Sequence, residues 1–130
     1  MSEKFEKAQK IYSECVRSES YDRGFEELDR LIIEGVDTHR ALQLRSHLHY
    51  LVGNKIQAKR DLDEAIELEP KSSGLYYDRG VLYHHTKEYY LTLKNFYDTI
   101  NLAQAIGDDD LIDAAEHHFI EILEKMRSAE

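Results

Sequence analysis

The sequence predicts an all-α protein: three antiparallel helical hairpins in series, closed by a seventh helix. Three observations predict it. A register of bulky and small residues recurs every 34 positions, short polar turns split each repeat into halves, and one proline with six glycines in 130 residues leaves little room for irregular structure.

The register is clearest in the second half of each unit. Ile32, Ile66 and Ile100 stand 34 residues apart, and four positions before them come Leu28, Leu62 and Phe96. Four positions earlier again stand Gly24, Ala58 and Thr92, all small, as required where two helices approach too closely for a larger side chain. The first halves repeat as well. Tyr76, Gly80 and Tyr83 are spaced by four and three, along one helical face; Leu42, Ser46 and His49 take the same slots in the second unit, and Ala8, Tyr12 and Cys15 in the first. In the first unit a ring replaces the small residue, so that repeat is the most degenerate.

Polar breaks within the hairpins fall at 18–22, 52–55 and 85–89, and breaks between units at 34–37, 69–73 and 107–110. Gly107 suits a helix C-terminus, and Asp108, Asp109 and Asp110 offer a capping side chain and negative charge to the next N-terminus. The helix that follows carries Leu111, Ala115, Phe119, Ile122 and Met126 on one stripe, able to cover the last hairpin. The expected organisation is one domain over 1–130, with units at about 5–38, 39–72 and 73–107 and a capping helix at about 108–127.

Seventeen basic against 26 acidic side chains give a formal charge of −9, which repels a phosphate backbone or an anionic membrane unless the basic residues cluster, and they form no run. No segment reaches the roughly 18 apolar residues of a spanning helix, and the charged start MSEKFEKAQK does not resemble a signal peptide. The expectation is a soluble cytoplasmic protein binding neither nucleic acid nor membrane. A lone cysteine, Cys15, excludes an internal disulfide and reads as a small buried thiol.

These spacings resemble the tetratricopeptide repeat, whose first helix carries a bulky residue, a leucine, a small residue and an aromatic at intervals of three, one and three. The third unit fits best, with Tyr76, Gly80 and Tyr83 followed by Thr92, Phe96 and Thr99, although Arg79 stands in the leucine slot. The second unit adds Ala58, Leu62, Ala65 and the unit-ending Pro70, where Val36 and Gln104 replace proline in the others. The likeness runs from Phe5 to about Gln104, and reaches the last helix through Leu111, Ala115 and His118 with one residue inserted. It implies a right-handed superhelix (α-solenoid) whose first helices line a concave groove, and a protein–protein interaction module without catalysis or cofactor, an adaptor or scaffold that holds a peptide or helix of a partner.

On that mapping the groove is lined by Gln9, Ser13 and Arg17, then Gln43, Leu44, His47 and Tyr50, then Tyr77, Asp78, Val81, His84 and His85. Tyrosines and aliphatic residues flanked by glutamine and histidine suit a partly apolar peptide; the same side chains could instead pack within the array. Relatives that hold chaperone C-termini clamp two carboxylates with lysine, asparagine and arginine. Here Gln9, Ser13, Leu44, Gly74 and Asp78 occupy those positions, which removes the cations and adds a negative charge. The co-chaperone reading is rejected for that site.

Seven histidines raise the question of a metal, but the pairs His84–His85 and His117–His118 are adjacent in a helix and point about 100° apart, and no HExxH or finger spacing occurs. His49 and His118 occupy aromatic slots and read as packed rings, while His47 and His84 are candidates for pH-sensitive contacts. No catalytic constellation or metal site is expected. Two alternatives stand beside the adaptor: a small acidic chaperone for a bacterial secretion substrate, a class this chain resembles in length and charge, and a metal-binding or enzymatic protein using its histidines. The expected assembly is a monomer or weak homodimer joined through the end helix or the first unit.

Overall fold

A computed structural model describes residues 2–129. Within them lie seven helices and no strand: α1 (Glu3–Ser18), α2 (Asp22–Glu34), α3 (Thr38–Leu51), α4 (Lys55–Leu68), α5 (Ser73–His85), α6 (Tyr89–Ile106) and α7 (Asp109–Ser128). Each turn falls where the polar breaks place it. The chain forms two compact units, Met1–Pro70 and Lys71–Glu130.

In the first unit the buried cluster is Phe5 and Ala8 of α1, Leu28 and Leu31 of α2, and Ala41 and Leu48 of α3. Val16, Phe25, Ile32, Leu44 and Leu51 pack around it, and α4 adds buried Ala58, Leu62, Ala65 and Ile66. The small slots work as the register requires. A Cβ on Gly24 would stand 3.0 Å from Leu48 Cδ1 and 3.2 Å from Cys15 Sγ, and Ser46 lies close enough for its hydroxyl to donate 2.8 Å to the Ala58 carbonyl. Cys15 is buried.

The start of α1 is tied down twice. Ser2 Oγ accepts from the Phe5 amide at 3.1 Å and donates to Asp37 Oδ2 at 2.7 Å, joining the first turn of α1 to the residue before α3. That contact holds the Asp37 carboxyl below its usual range, hydrogen bonding from Ser2 being the main cause. Gly35 closes α2 with φ +72°, a left-handed conformation that glycine adopts without a steric penalty.

In the second unit Phe96 of α6 is fully buried, and a Cβ on Gly80 of α5 would meet its ring at 2.9 Å. Leu75, Tyr83, Thr92, Asn95, Thr99 and Ala103 complete the α5–α6 core, and α7 adds Ala115 and Ile122. Gly107 caps α6 in the left-handed conformation, and Asp108 accepts from the Leu111 amide at 3.2 Å, as the run of aspartates predicts. Two polar side chains of the cores, Asp61 and Asn95, are each met by an arginine.

Candidate functional site

α1 and α3 lie side by side in the first unit, and hydrogen bonding between the Tyr12 hydroxyl and His47 Nδ1 joins them on the face that the repeat assigns to binding. Of the groove candidates, Gln9, Ser13, Arg17 and His47 are exposed, while Gln43, Leu44 and Tyr50 are half-buried. Leu44 packs against the core cluster of its unit, so it supports the face as much as it lines it. The result is a polar surface with tyrosine and aliphatic edges and a single cation among the named residues. Such a surface offers hydrogen-bond donors and acceptors beside half-buried apolar side chains.

The second unit treats its candidates differently. Tyr77 packs its ring 5.6 Å from Phe96 and 5.8 Å from His118, between α6 and α7, and burial pushes its hydroxyl pKa up, with Asp78 adding to the effect. Val81 is half-buried. Lys125 Nζ of α7 donates to His84 Nε2 at 2.8 Å, and His84 also lies against His85 and Tyr89. Burial, followed by the Lys125 charge, holds the His84 imidazole below its ordinary pKa, which favours the neutral form that can accept this hydrogen bond.

The aromatic-slot histidines are packed rings. His118 stacks on Phe96 at 5.4 Å, and His49 lies 4.9 Å from Phe25 with Nε2 3.7 Å from Asp61. Among the described residues no group of three or more His, Cys, Asp or Glu side chains is placed to hold a metal ion, and no helix is long and apolar enough to cross a membrane.

The feature that sequence reasoning missed lies behind the candidate face. Arg45 of α3 donates through Nε and Nη2 to both oxygens of Asp61 on α4, at 2.9 and 2.7 Å, and through Nη1 to Asp29 on α2 at 3.0 Å. These two carboxylates, Asp61 first, raise the guanidinium pKa beyond its already high value. The same device recurs one repeat later, where Arg79 Nε donates to Asn95 Oδ1 at 2.8 Å. The signal was available: Arg45 and Arg79 are 34 residues apart, as are Asp61 and Asn95, and sixteen residues separate each pair. Arg79 alone looked like a departure from a leucine slot; two arginines in phase with two amide or acid partners define a polar layer.

No family model matches the chain. It is 27% identical over 97 residues to the SGT1 homolog protein of Bos taurus, covering 75% of this chain, and it spans only 29% of the length of that relative. Among solved structures, PcrH in complex with the chaperone binding region of PopD superposes with a TM-score of 0.81 at 12% identity, covering 97% of this chain and 96% of that one. MamA superposes with a TM-score of 0.63 at 21% identity, covering 95% of this chain and 79% of that one. These similarities support the resemblance to the tetratricopeptide type and show its fold, an all-α helical repeat.

Proposed function

We propose that the chain is an adaptor that binds a peptide segment or helix of a partner protein on the face formed by α1 and α3. Gln9, Ser13, Arg17, Gln43, Leu44, His47 and Tyr50 carry the contact, and Tyr77, Val81 and His84 offer a second set in the other unit. One observation carries the proposal. Gln9, Ser13, Arg17 and His47 of these two helices are exposed while Phe5, Ala8, Ala41 and Leu48 of the same helices form the core, so the four polar side chains are not needed for folding. The reading involves no catalytic step, a cytoplasmic protein, and a net charge of −9 that disfavours nucleic acid.

A second reading, a chaperone holding a segment of a substrate protein, is favoured by the likeness to PcrH, itself seen with the chaperone binding region of PopD. Both readings need the same face and are tested together. Peptides selected from a randomised display library against the purified chain are titrated against wild type and against Arg17→Glu/His47→Ala, whose side chains are exposed. The expected result is a loss of about tenfold or more in affinity, roughly one strong side-chain contact, with NMR shift changes centred on α1 and α3. Peptides that bind both proteins equally would show the face to be wrong.

A further inference from the structure

α7 carries two stripes, one packed within its unit and one exposed among the described residues. Ala115 and Ile122 are buried against the rest of the second unit, His118 and Lys125 meet Tyr77 and His84 of α5, and Met126 borders a shallow cavity of about 410 Å³ with Tyr89, Tyr90 and Leu91 of α6. Round the helix from these lie Glu116, Ile120, Leu123 and Arg127, all exposed, Ile120 at 57% and Leu123 at 46%. At ~100° per residue they fall within an arc of about 60°, along ~16 Å of helix.

Their order is self-complementary. The intervals are four, three and four residues, acidic at one end, basic at the other, apolar in the middle. Glu116 and Arg127 have no ion-pair partner among the described residues, whereas Glu121 on the neighbouring face is paired with Lys125 at 3.5 Å. A foreign partner has no need of this symmetry; an isologous two-fold contact requires it, because each residue must meet its mirror in the sequence.

We propose that the stripe is a self-association surface on which α7 of one copy packs antiparallel against α7 of a second. Ile120 then meets the partner's Leu123, Leu123 meets the partner's Ile120, and the two Glu116 carboxylates meet the two Arg127 guanidinia. A parallel arrangement would set Glu116 against the partner's Glu116 and Arg127 against the partner's Arg127, and the helix dipoles would also repel. The contact is weak, since each copy contributes two apolar side chains and carries a charge of −9. Added salt acts in opposite directions on the net repulsion and on the Glu–Arg pairs, so charge reversal is the sharper probe.

The test is sedimentation of the full chain from about 10 µM to about 1 mM, the range set by so small an interface. The mass average is expected to rise toward that of a dimer. Ile120→Lys/Leu123→Lys should stay monomeric with an unchanged helical melting curve. Glu116→Arg should weaken association about tenfold, and Glu116→Arg/Arg127→Glu should restore it to within about threefold of wild type. A wild type that remains monomeric throughout, a dimer indifferent to the lysine pair, or a double reversal that fails to restore association each overturns the proposal. Peptide binding on α1 and α3 is read separately, so neither result decides the other.

Discussion

Arg45→Ala isolates the polar layer in the core of the first unit. The wild-type side chain is 23% accessible and makes three charge-assisted hydrogen bonds, two of them to Asp61, whose side chain is 4% accessible. Without the guanidinium the Asp61 carboxylate keeps, among the described residues, His49 at 3.7 Å as its remaining ionisable neighbour. Breaking a fully buried pair by removing one partner costs about 3–5 kcal/mol. The Asp29 arm ends on a half-exposed carboxylate and is worth about 0.5 kcal/mol after solvent screening. With Arg45 itself partly wet, about 2–3 kcal/mol is expected, or roughly 10 °C in melting temperature for a domain of this size. Asp61→Asn reproduces the arrangement of the next repeat, where Asn95 serves Arg79, and should cost only about 1 kcal/mol because the acceptor survives. The apolar replacement Arg45→Met/Asp61→Leu should come within about 1 kcal/mol of wild type, since it removes both charges together. Urea denaturation followed by circular dichroism reads all four proteins. A cost below about 0.5 kcal/mol for Arg45→Ala, or a double variant no more stable than Arg45→Ala, would refute the reasoning.

Two further outcomes follow from the packing. Gly80→Ala should destabilise by about 2 kcal/mol, because the new Cβ meets the buried Phe96 ring at 2.9 and 3.1 Å and Asn95 Cβ at 3.3 Å; Gly24→Ala, which meets the end of the Leu48 side chain, should stay within about 1 kcal/mol because the gain in helix propensity offsets a small shift, and thermal melts of the two compare them directly. His49 is held below the ordinary imidazole value of 6.5, first by burial and then by Arg45, against the pull of Asp61 and Asp29. Its folded pKa is depressed, so the unfolded chain takes up the proton first and stability is lost as pH falls through 6.5 toward the folded value; His49→Phe, which keeps a ring against Phe25, should flatten that part of a stability–pH curve.

Most of the fold was legible because its rule is periodic. Leu28, Leu62 and Phe96 are buried, Gly24, Ala58 and Thr92 lie one turn before them on the same buried faces, and a spacing of 34 is enough to find both sets. The candidate residues were harder, because position in a repeat tells which way a side chain points but not what stands beside it. Tyr77 and His84 hold the same repeat positions as other candidates, and their contacts come from elsewhere: the first packs between Phe96 and His118 and the second accepts from Lys125 of α7. The last helix follows the register with one residue inserted, so its contacts with α5 could not be counted off in advance.

The arginine layer links the core to the face it supports. On α3, at ~100° per residue, Gln43, His47 and Tyr50 lie about 140–200° around the helix from Arg45, directly behind which Asp61 and Asp29 hold the guanidinium. A leucine in that slot would contribute burial without direction, and apolar contacts tolerate rotation of a helix better than three hydrogen bonds with fixed fork geometry. Fastening α3 to α2 and α4 from the back therefore fixes which three side chains the front presents. In the second unit the corresponding bond runs from Arg79 Nε to the amide oxygen of the neutral Asn95, where the first unit has a bidentate ion pair. The bidentate ion pair thus stands behind α3, the helix that contributes more of the proposed binding residues than any other.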